Sequence, residues 1–411
     1  MKITSNLLLL FIFSNLLIIS SCGTNDNQDS TSTSTSTSTS GVAELIQRSE
    51  KIQHGKEWDA VQNQYAKNSN ALKKNPNDNN AKLELAHLFI KEARVTGEHG
   101  HYYPAALKLL NSVLDDTDPE KSKNTEFLAL LTKAGVQLSL HDFKDALETG
   151  EKAVALNPRN AQIYGVLVDA NVELGNYEKA VGLADKMVNI KPDIRSYSRV
   201  SYLREIYGDI DGAKKAMHLA VEAGYPGLEE TSWAMLTLGD IYNKYGDSKS
   251  AEKIYETILA QRENYPFAIA AIGDIALENK DYDLAEEKLD EAIDIIPEVG
   301  FAISLAHLYK EQGREKELAE IKSEILEMLE DDVVNGHNMN MEYASMYKDL
   351  YDDPNTALEY MQKEYEKRPK NIDVNKMMAE IYMHLNDSDL AERYKSAAFI
   401  TNAVHPELDN I

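Results

Sequence analysis

The sequence predicts an all-α fold, a right-handed superhelical solenoid built from antiparallel helix pairs. From residue 42 onward, apolar residues recur at spacings of three and four, the period of an amphipathic helix. Alanines recur every 33, 34 or 38 residues, and a residue that is usually small lies 12 positions before each of them. Gly, Asn or Asp stands between those two positions in most units, where a turn between helices requires it. This periodicity indicates a stacked array of similar units.

The first 41 residues carry no repeat and have the layout of an export and attachment segment. Residues 1–21 combine one charge, Lys2, with an apolar run, which is typical of a secretory signal peptide. The run is shorter than the about 20 apolar residues that span a bilayer. Residues 19–22, Ile-Ser-Ser-Cys, resemble the lipobox of bacterial lipoproteins, where the signal is cut before an acylated cysteine. The resemblance implies that Cys22 carries a lipid; the alternative is an ordinary signal peptide.

Residues 22–41 are expected to form the lipidated cysteine and a disordered tether. Beyond Cys22 they are Gly, Asn, Asp, Gln and five Thr-Ser pairs, with no apolar side chain to bury. Such a tether would hold the folded part about 24 Å from the membrane on average. Gly23 follows the cysteine, so the aspartate that retains some lipoproteins at the inner membrane is missing. The sequence therefore favours the outer membrane of a bacterial cell envelope.

The rest of the chain divides into three predicted parts. Residues 42–126 hold N-terminal helices and an irregular repeat at 78–118. Residues 127–405 hold eight helix pairs, and residues 406–411 form a tail.

Two series of small residues define the eight pairs. Antiparallel helices approach to about 8 Å only where neither carries a bulky side chain at the crossing. The alanines are Ala146, Ala180, Ala213, Ala251, Ala285, Ala319, Ala357 and Ala391. The residues 12 positions earlier are Ala134, Val168, Ser201, Gly239, Gly273, His307, Ser345 and Ala379. Two steps of 38 residues predict short insertions.

These units resemble the tetratricopeptide repeat, a helical hairpin of about 34 residues with small residues, an aromatic residue and a proline at fixed places. Phe143, Tyr177 and Tyr282 match the aromatic place. Other units depart from it, at Ser248, Lys316, Pro354 and Ser388. The resemblance implies a concave groove, lined by the first helix of each pair, that binds other proteins.

The net charge limits the possible partners, and the cysteine content excludes an internal disulfide. The chain has 68 acidic and 43 basic residues, a formal net charge of −25. Such a charge repels nucleic-acid phosphates and anionic lipid headgroups, so we expect no nucleic-acid partner. With a single cysteine, no internal disulfide can form.

The sequence contains no catalytic or cofactor-binding signature, so we expect no enzyme, no cofactor and no metal. Phosphate-binding glycine loops, Gly-x-Ser-x-Gly, His-Glu-x-x-His and Cys-x-x-Cys are all missing. The nearest candidate metal site is the pair His99 and His101, which we interpret as a surface loop. Residues 115–126 resemble a calcium loop but place Pro119 at a ligand position, which favours an inter-repeat loop.

Four acidic residues predict the chemistry of the groove. In the tetratricopeptide family the place after the first small residue faces the groove, and carboxylate-clamp members carry asparagine there. Here Asp169, Asp240, Asp274 and Glu380 occupy that place in four units. Because an acidic groove repels a carboxylate, we predict against the clamp and for a partner segment carrying Lys or Arg. The alternative is that these acids only solvate an exposed face.

An aromatic ladder is the second predicted feature of the groove. Trp233, Phe267 and Phe301 follow one another at intervals of 34 residues, so they occupy equivalent places in three units. If exposed, they would anchor apolar side chains of the partner, and units 232–337 would form its main site. The alternative is that they pack in the core.

Taken together, these features predict a membrane-tethered, non-catalytic scaffold or adaptor that binds a basic and apolar protein segment in the cell envelope. One alternative is an assembly factor of an outer-membrane, pilus or secretion complex. A minor alternative is a metal-dependent hydrolase or an enzyme accessory subunit.

Overall fold

The computed structural model describes residues 42–118 and 121–405. Within these ranges the chain forms 19 α-helices and no β-strand, so the predicted all-α fold is confirmed. The predicted signal peptide, Cys22, the tether and the tail lie outside the described residues. None of the described helices combines the length and the apolar character that a bilayer crossing requires.

Helix α1 is followed by nine helix pairs, in each of which the two members pack side by side. A 3-10 turn, Glu50–Ile52, and α1, Glu57–Lys74, come first. The first five pairs are α2 Asn79–Thr96 with α3 His99–Leu114, α4 Lys123–Ser139 with α5 Phe143–Leu156, α6 Ala161–Glu173 with α7 Tyr177–Ile190, α8 Ile194–Ile206 with α9 Ile210–Glu222, and α10 Glu229–Lys244 with α11 Ser248–Gln261. The last four pairs are α12 Pro266–Glu278 with α13 Tyr282–Ile293, α14 Val299–Gln312 with α15 Glu315–Val334, α16 Asn340–Asp349 with α17 Pro354–Lys367, and α18 Ile372–His384 with α19 Ser388–Ala398.

Aspartates at the hairpin turns begin the second helix of several pairs. Each accepts a hydrogen bond from a backbone N–H of the first helical turn, which satisfies a donor without a helical partner. Asp281 accepts from Leu284, and Asp387 accepts from Leu390. Asp281 and Asp387 therefore cap α13 and α19. Equivalent caps are Asp209, Asp247 and Asp353.

The two predicted insertions have different structural causes. The first lengthens the connection between α9 and α10, and the second lengthens α15 to 20 residues. One alanine of the series is out of register. Ala319 is exposed, and Leu318 takes the buried place because the α14–α15 turn, at Gly313 with φ +68°, is one residue shorter than its neighbours.

The solenoid coils so tightly that its second superhelical turn lies on its first. The loops after α4, α6 and α8 pack against the loops before α16 and α18 and after α19. We call this contact the turn-to-turn seam. Its bonds join Asn338 N to Leu140 O at 3.2 Å, Asn371 Nδ2 to Glu173 O at 3.1 Å, and Ile372 N to Tyr177 Oη at 2.7 Å.

Two glycines allow the backbones to meet at the seam. Gly175 and Gly208 have φ of +72° and +75°, a conformation that other residues adopt at a cost. A Cβ on Gly175 would lie 2.5 Å from Lys370 O, and one on Gly208 would lie 2.5 Å from Asn402 O. The seam therefore requires glycine for its close approach as well as for its turns.

Candidate partner-binding site

Half of the predicted groove acids are neutralised by ion pairs inside the protein. Asp169 is buried and pairs with Arg199 on α8. Glu380 on α18 pairs with Lys348 of α16 at 3.0 Å. Neither carboxylate is available to attract a basic partner in this conformation, and their role in partner binding stays a prediction.

The two predicted groove acids of the central units, Asp240 and Asp274, differ from these in their partners. Among the ion pairs of residues 42–118 and 121–405, none includes Asp240, Asp274 or the neighbouring Glu278. Asp240 on α10 accepts a hydrogen bond from the Tyr255 hydroxyl at 2.7 Å. Asp274 on α12 is bonded to Ser304, and its Oδ1 is buried without a hydrogen-bond partner. These carboxylates therefore lie near one another and have no ion-pair partner in residues 42–118 and 121–405.

Burial and mutual repulsion shift the titration of these two aspartates. Burial raises the pKa of Asp240 to about 7, and the nearby Asp274 carboxylate adds to the rise. Burial likewise raises the pKa of Asp274 to about 7, with Glu278 contributing. A cation placed between them would favour the charged forms and lower both pKa values. The region is therefore suited to a lysine or arginine side chain.

The three aromatic residues lie on α10, α12 and α14 and differ in exposure. Trp233 and Phe267 are half-buried, whereas Phe301 is buried, with 6% exposure. Phe267 contacts Phe301 edge to face, with ring centroids 5.7 Å apart. Trp233 packs in the cluster around Met217 and Ile241. The structure thus gives Phe301 a packing role, while partner contact by Trp233 and Phe267 stays a prediction.

The predicted loop around His99 and His101 is wrong, because α3 begins at His99. His99 is fully buried and stacks on Tyr103 at 5.1 Å. His101 Nε2 lies 2.8 Å from the Glu44 carbonyl oxygen. In the described part of the chain, no group of three or more His, Cys, Asp or Glu side chains is placed to hold a metal ion.

Two tetratricopeptide-repeat family models match residues 137–205 and 236–299. The chain contains tetratricopeptide repeats. The second matched segment includes Asp240, Phe267 and Asp274. Repeats of this kind characterise protein-binding scaffolds and adaptors, which agrees with the predicted type of protein.

Several solved structures are similar to parts of this chain. One is pilF of Pseudomonas aeruginosa, with 15% identity over 49% of this chain and 91% of that chain and a TM-score of 0.40. Another is a tetratricopeptide repeat protein from Parabacteroides merdae, with 13% identity, coverage of 60% and 93%, and a TM-score of 0.42. A third is a human IFIT1 dimer with m7Gppp-AAAA, with 13% identity, coverage of 86% and 88%, and a TM-score of 0.48. Such likenesses carry no information on what this chain binds.

Proposed function

We propose that this protein is a lipid-anchored scaffold of the bacterial cell envelope that binds basic, partly apolar protein segments. The tetratricopeptide repeats support the scaffold role. The lipobox resemblance at Cys22 and the Ser/Thr tether support attachment to a membrane, with the outer membrane favoured by Gly23. No catalytic step is part of the proposal.

One observation carries the choice of partner. Elsewhere on the concave side the acids Asp169 and Glu380 are paired with basic residues, but Asp240 and Asp274 are not. The half-buried rings of Trp233 and Phe267 lie on the same two helices, α10 and α12. A segment that presents lysine or arginine beside apolar residues would satisfy both features.

Metabolic labelling tests the anchor. Labelled palmitate should enter the wild-type protein, while Cys22→Ser should remain unlabelled and accumulate as uncleaved precursor. Absence of label from the wild type, or normal maturation of Cys22→Ser, would remove the lipoprotein part of the proposal.

Site-specific photocrosslinking in the envelope tests the binding site. A photoreactive residue in place of Trp233 should crosslink a partner, and Asp240→Asn with Asp274→Asn should reduce the crosslink. A photoreactive residue at exposed Glu256 on α11 is the matched control and should give no such product. Equal crosslinking at both positions would contradict the assigned site.

A further inference from the structure

The segment before the first helices is bound to the fold as an extended peptide. Residues 43–48 form no helix, and they lie against α1 and α3. Ala43 lies in an isolated β-bridge, and side chains hold the backbone at further positions. These bonds are Tyr65 Oη to Ala43 O at 2.9 Å, Ile46 N to Tyr102 Oη at 2.9 Å, and His101 Nε2 to Glu44 O at 2.8 Å.

Arg48 is the main anchor of this segment. Its side chain is fully buried, and its Nε and Nη2 donate to the two carboxylate oxygens of Glu92 at 2.8 and 2.7 Å. Nη1 donates to Glu57 at 3.0 Å, and the guanidinium lies 5.4 Å from the Trp58 ring. Bidentate pairing of this kind is specific to arginine, because a lysine ammonium cannot donate two parallel hydrogen bonds to one carboxylate.

Four residues later, Ile52 enters the core of the central units. It is buried in a cluster with Ile269, Ala270 and Phe301. Asn264 Nδ2 also donates to the Lys51 carbonyl oxygen at 3.0 Å. We name residues 42–56 the N-terminal arm. The arm therefore connects the first helices to the units that contain the candidate partner-binding site.

We infer that the N-terminal arm occupies a peptide-binding site, and that a partner segment of the same chemistry binds there by displacing it. That segment is extended and carries an arginine followed four residues later by an aliphatic side chain. This inference rests on the proposed function. It specifies one kind of partner, a segment whose arginine binds Glu92 and Glu57. The partner segment is expected to bind in the conformation that the arm has in this structure.

Two features make displacement feasible. The arm joins the proposed tether at residue 41 and ends near Gly55, whose φ of +50° marks a turn before α1. Its C-terminal end is continuous with α1. Apart from the single β-bridge at Ala43, the bonds that hold the backbone of residues 43–46 come from side chains, and such isolated bonds open one by one more readily than a continuous ladder.

Withdrawal of the arm would leave Glu92 buried without its arginine, at a high energetic cost. Only another guanidinium restores both hydrogen bonds, so the incoming segment has to supply one. The attached arm competes with an effective concentration on the order of millimolar. A displacing partner therefore either binds more tightly than the arm or presents several copies of its segment.

A labelled peptide of residues 42–56 tests the inference on the full-length chain. Arg48→Ala in the chain releases the arm, so this variant should bind the peptide at least tenfold more tightly than the wild type. A peptide carrying Arg48→Ala should bind at least tenfold more weakly than the native peptide. A chain with Arg204→Ala, which breaks an exposed ion pair, is the control and should match the wild type. Failure of a folded Arg48→Ala chain to bind the native peptide would overturn the inference.

Hydrogen exchange on the wild-type chain gives a second measurement that needs no variant. The Ile46 amide should exchange at least tenfold faster than the interior amides of α2 and α3, because the arm opens without unfolding them. Equal protection would make the arm a fixed part of the core and overturn the inference. Neither measurement involves Asp240 or Asp274, so failure here is distinguishable from failure of the proposed partner site.

Discussion

Glu173 at the end of α6 and Arg368 after α17 form an ion pair although 195 residues separate them in the chain. Both side chains are buried, with at most 4% exposure. Arg368 also binds Glu364, and its guanidinium lies 4.8 Å from the Phe143 ring. This cluster therefore stabilises the contact between the second superhelical turn and the first.

Removing the Arg368 guanidinium should therefore destabilise the fold strongly. Arg368→Met leaves the buried carboxylates of Glu173 and Glu364 without their cation, which costs about 3–5 kcal/mol. Arg204→Ala breaks an exposed pair and should cost far less stability. Urea denaturation gives both free energies of unfolding. Equal, small losses in the two variants would mean that the seam contributes little.

Two glycines with the same backbone conformation separate turn formation from seam contact. Gly175 and Gly246 both end hairpin turns, with φ of +72° and +86°. A Cβ on Gly175 would clash with the Lys370 backbone at 2.5 Å, whereas one on Gly246 would meet nothing within 4 Å. Gly175→Ala should lower the free energy of unfolding more than Gly246→Ala does. The additional loss, about 1–3 kcal/mol, comes from overpacking at the seam. An equal loss of stability in both variants would mean that the turn conformation alone, and not the seam contact, requires glycine at position 175.

The pKa of Asp274 predicts a pH-dependent effect of one substitution. Burial raises the pKa of this carboxyl from 3.8 to about 7. The folded state then binds more protons than the unfolded state between these values, so this group's contribution to stability falls as pH rises through 7. Asp274→Asn should accordingly stabilise the protein at pH 8 and lose that advantage progressively towards pH 4. A difference in unfolding free energy that does not change with pH would show that Asp274 is not shifted.

Alanine substitutions should distinguish packing from binding along the aromatic ladder. Phe301 is buried, so Phe301→Ala should cost about 3–5 kcal/mol of stability. Trp233 is half-buried, so Trp233→Ala should cost less stability while weakening partner capture by more than about 1 kcal/mol. Thermal unfolding measures the loss of stability, and the affinity for a labelled peptide of alternating lysine and leucine measures capture. Full stability loss at Trp233 with unchanged capture would assign this residue to the core.

Local periodicity was sufficient to predict the helix pairs. The buried alanines and the capping aspartates act within one unit, so their spacing is visible in the sequence. Ala319 shows the limit, because a turn that is one residue shorter moved Leu318 into the buried place. Gly313 is the one local signal of that shorter turn.

Contacts between distant units were not predictable in the same way. Nothing near Glu173 in the sequence indicates Arg368, because their proximity depends on the pitch of the whole superhelix. For the same reason, the groove acids Asp169 and Glu380 were predicted without their buried partners. The arm was not predicted because nothing in the sequence separates Arg48 from the other basic residues of the segment, Lys51 and Lys56. Its burial against Glu92 and Glu57 is visible only once the fold is known.

The most direct test of the central claim is the affinity of a labelled alternating lysine–leucine peptide, measured at increasing salt. Binding to the wild-type chain should weaken as salt rises, because it depends on Asp240 and Asp274. Asp240→Asn with Asp274→Asn should weaken binding about tenfold. Glu256→Gln with Glu287→Gln removes the same charge from exposed positions on α11 and α13 and should leave the affinity nearly unchanged. Equal affinities for the two double variants, or binding that strengthens with salt, would contradict a basic partner at the central units.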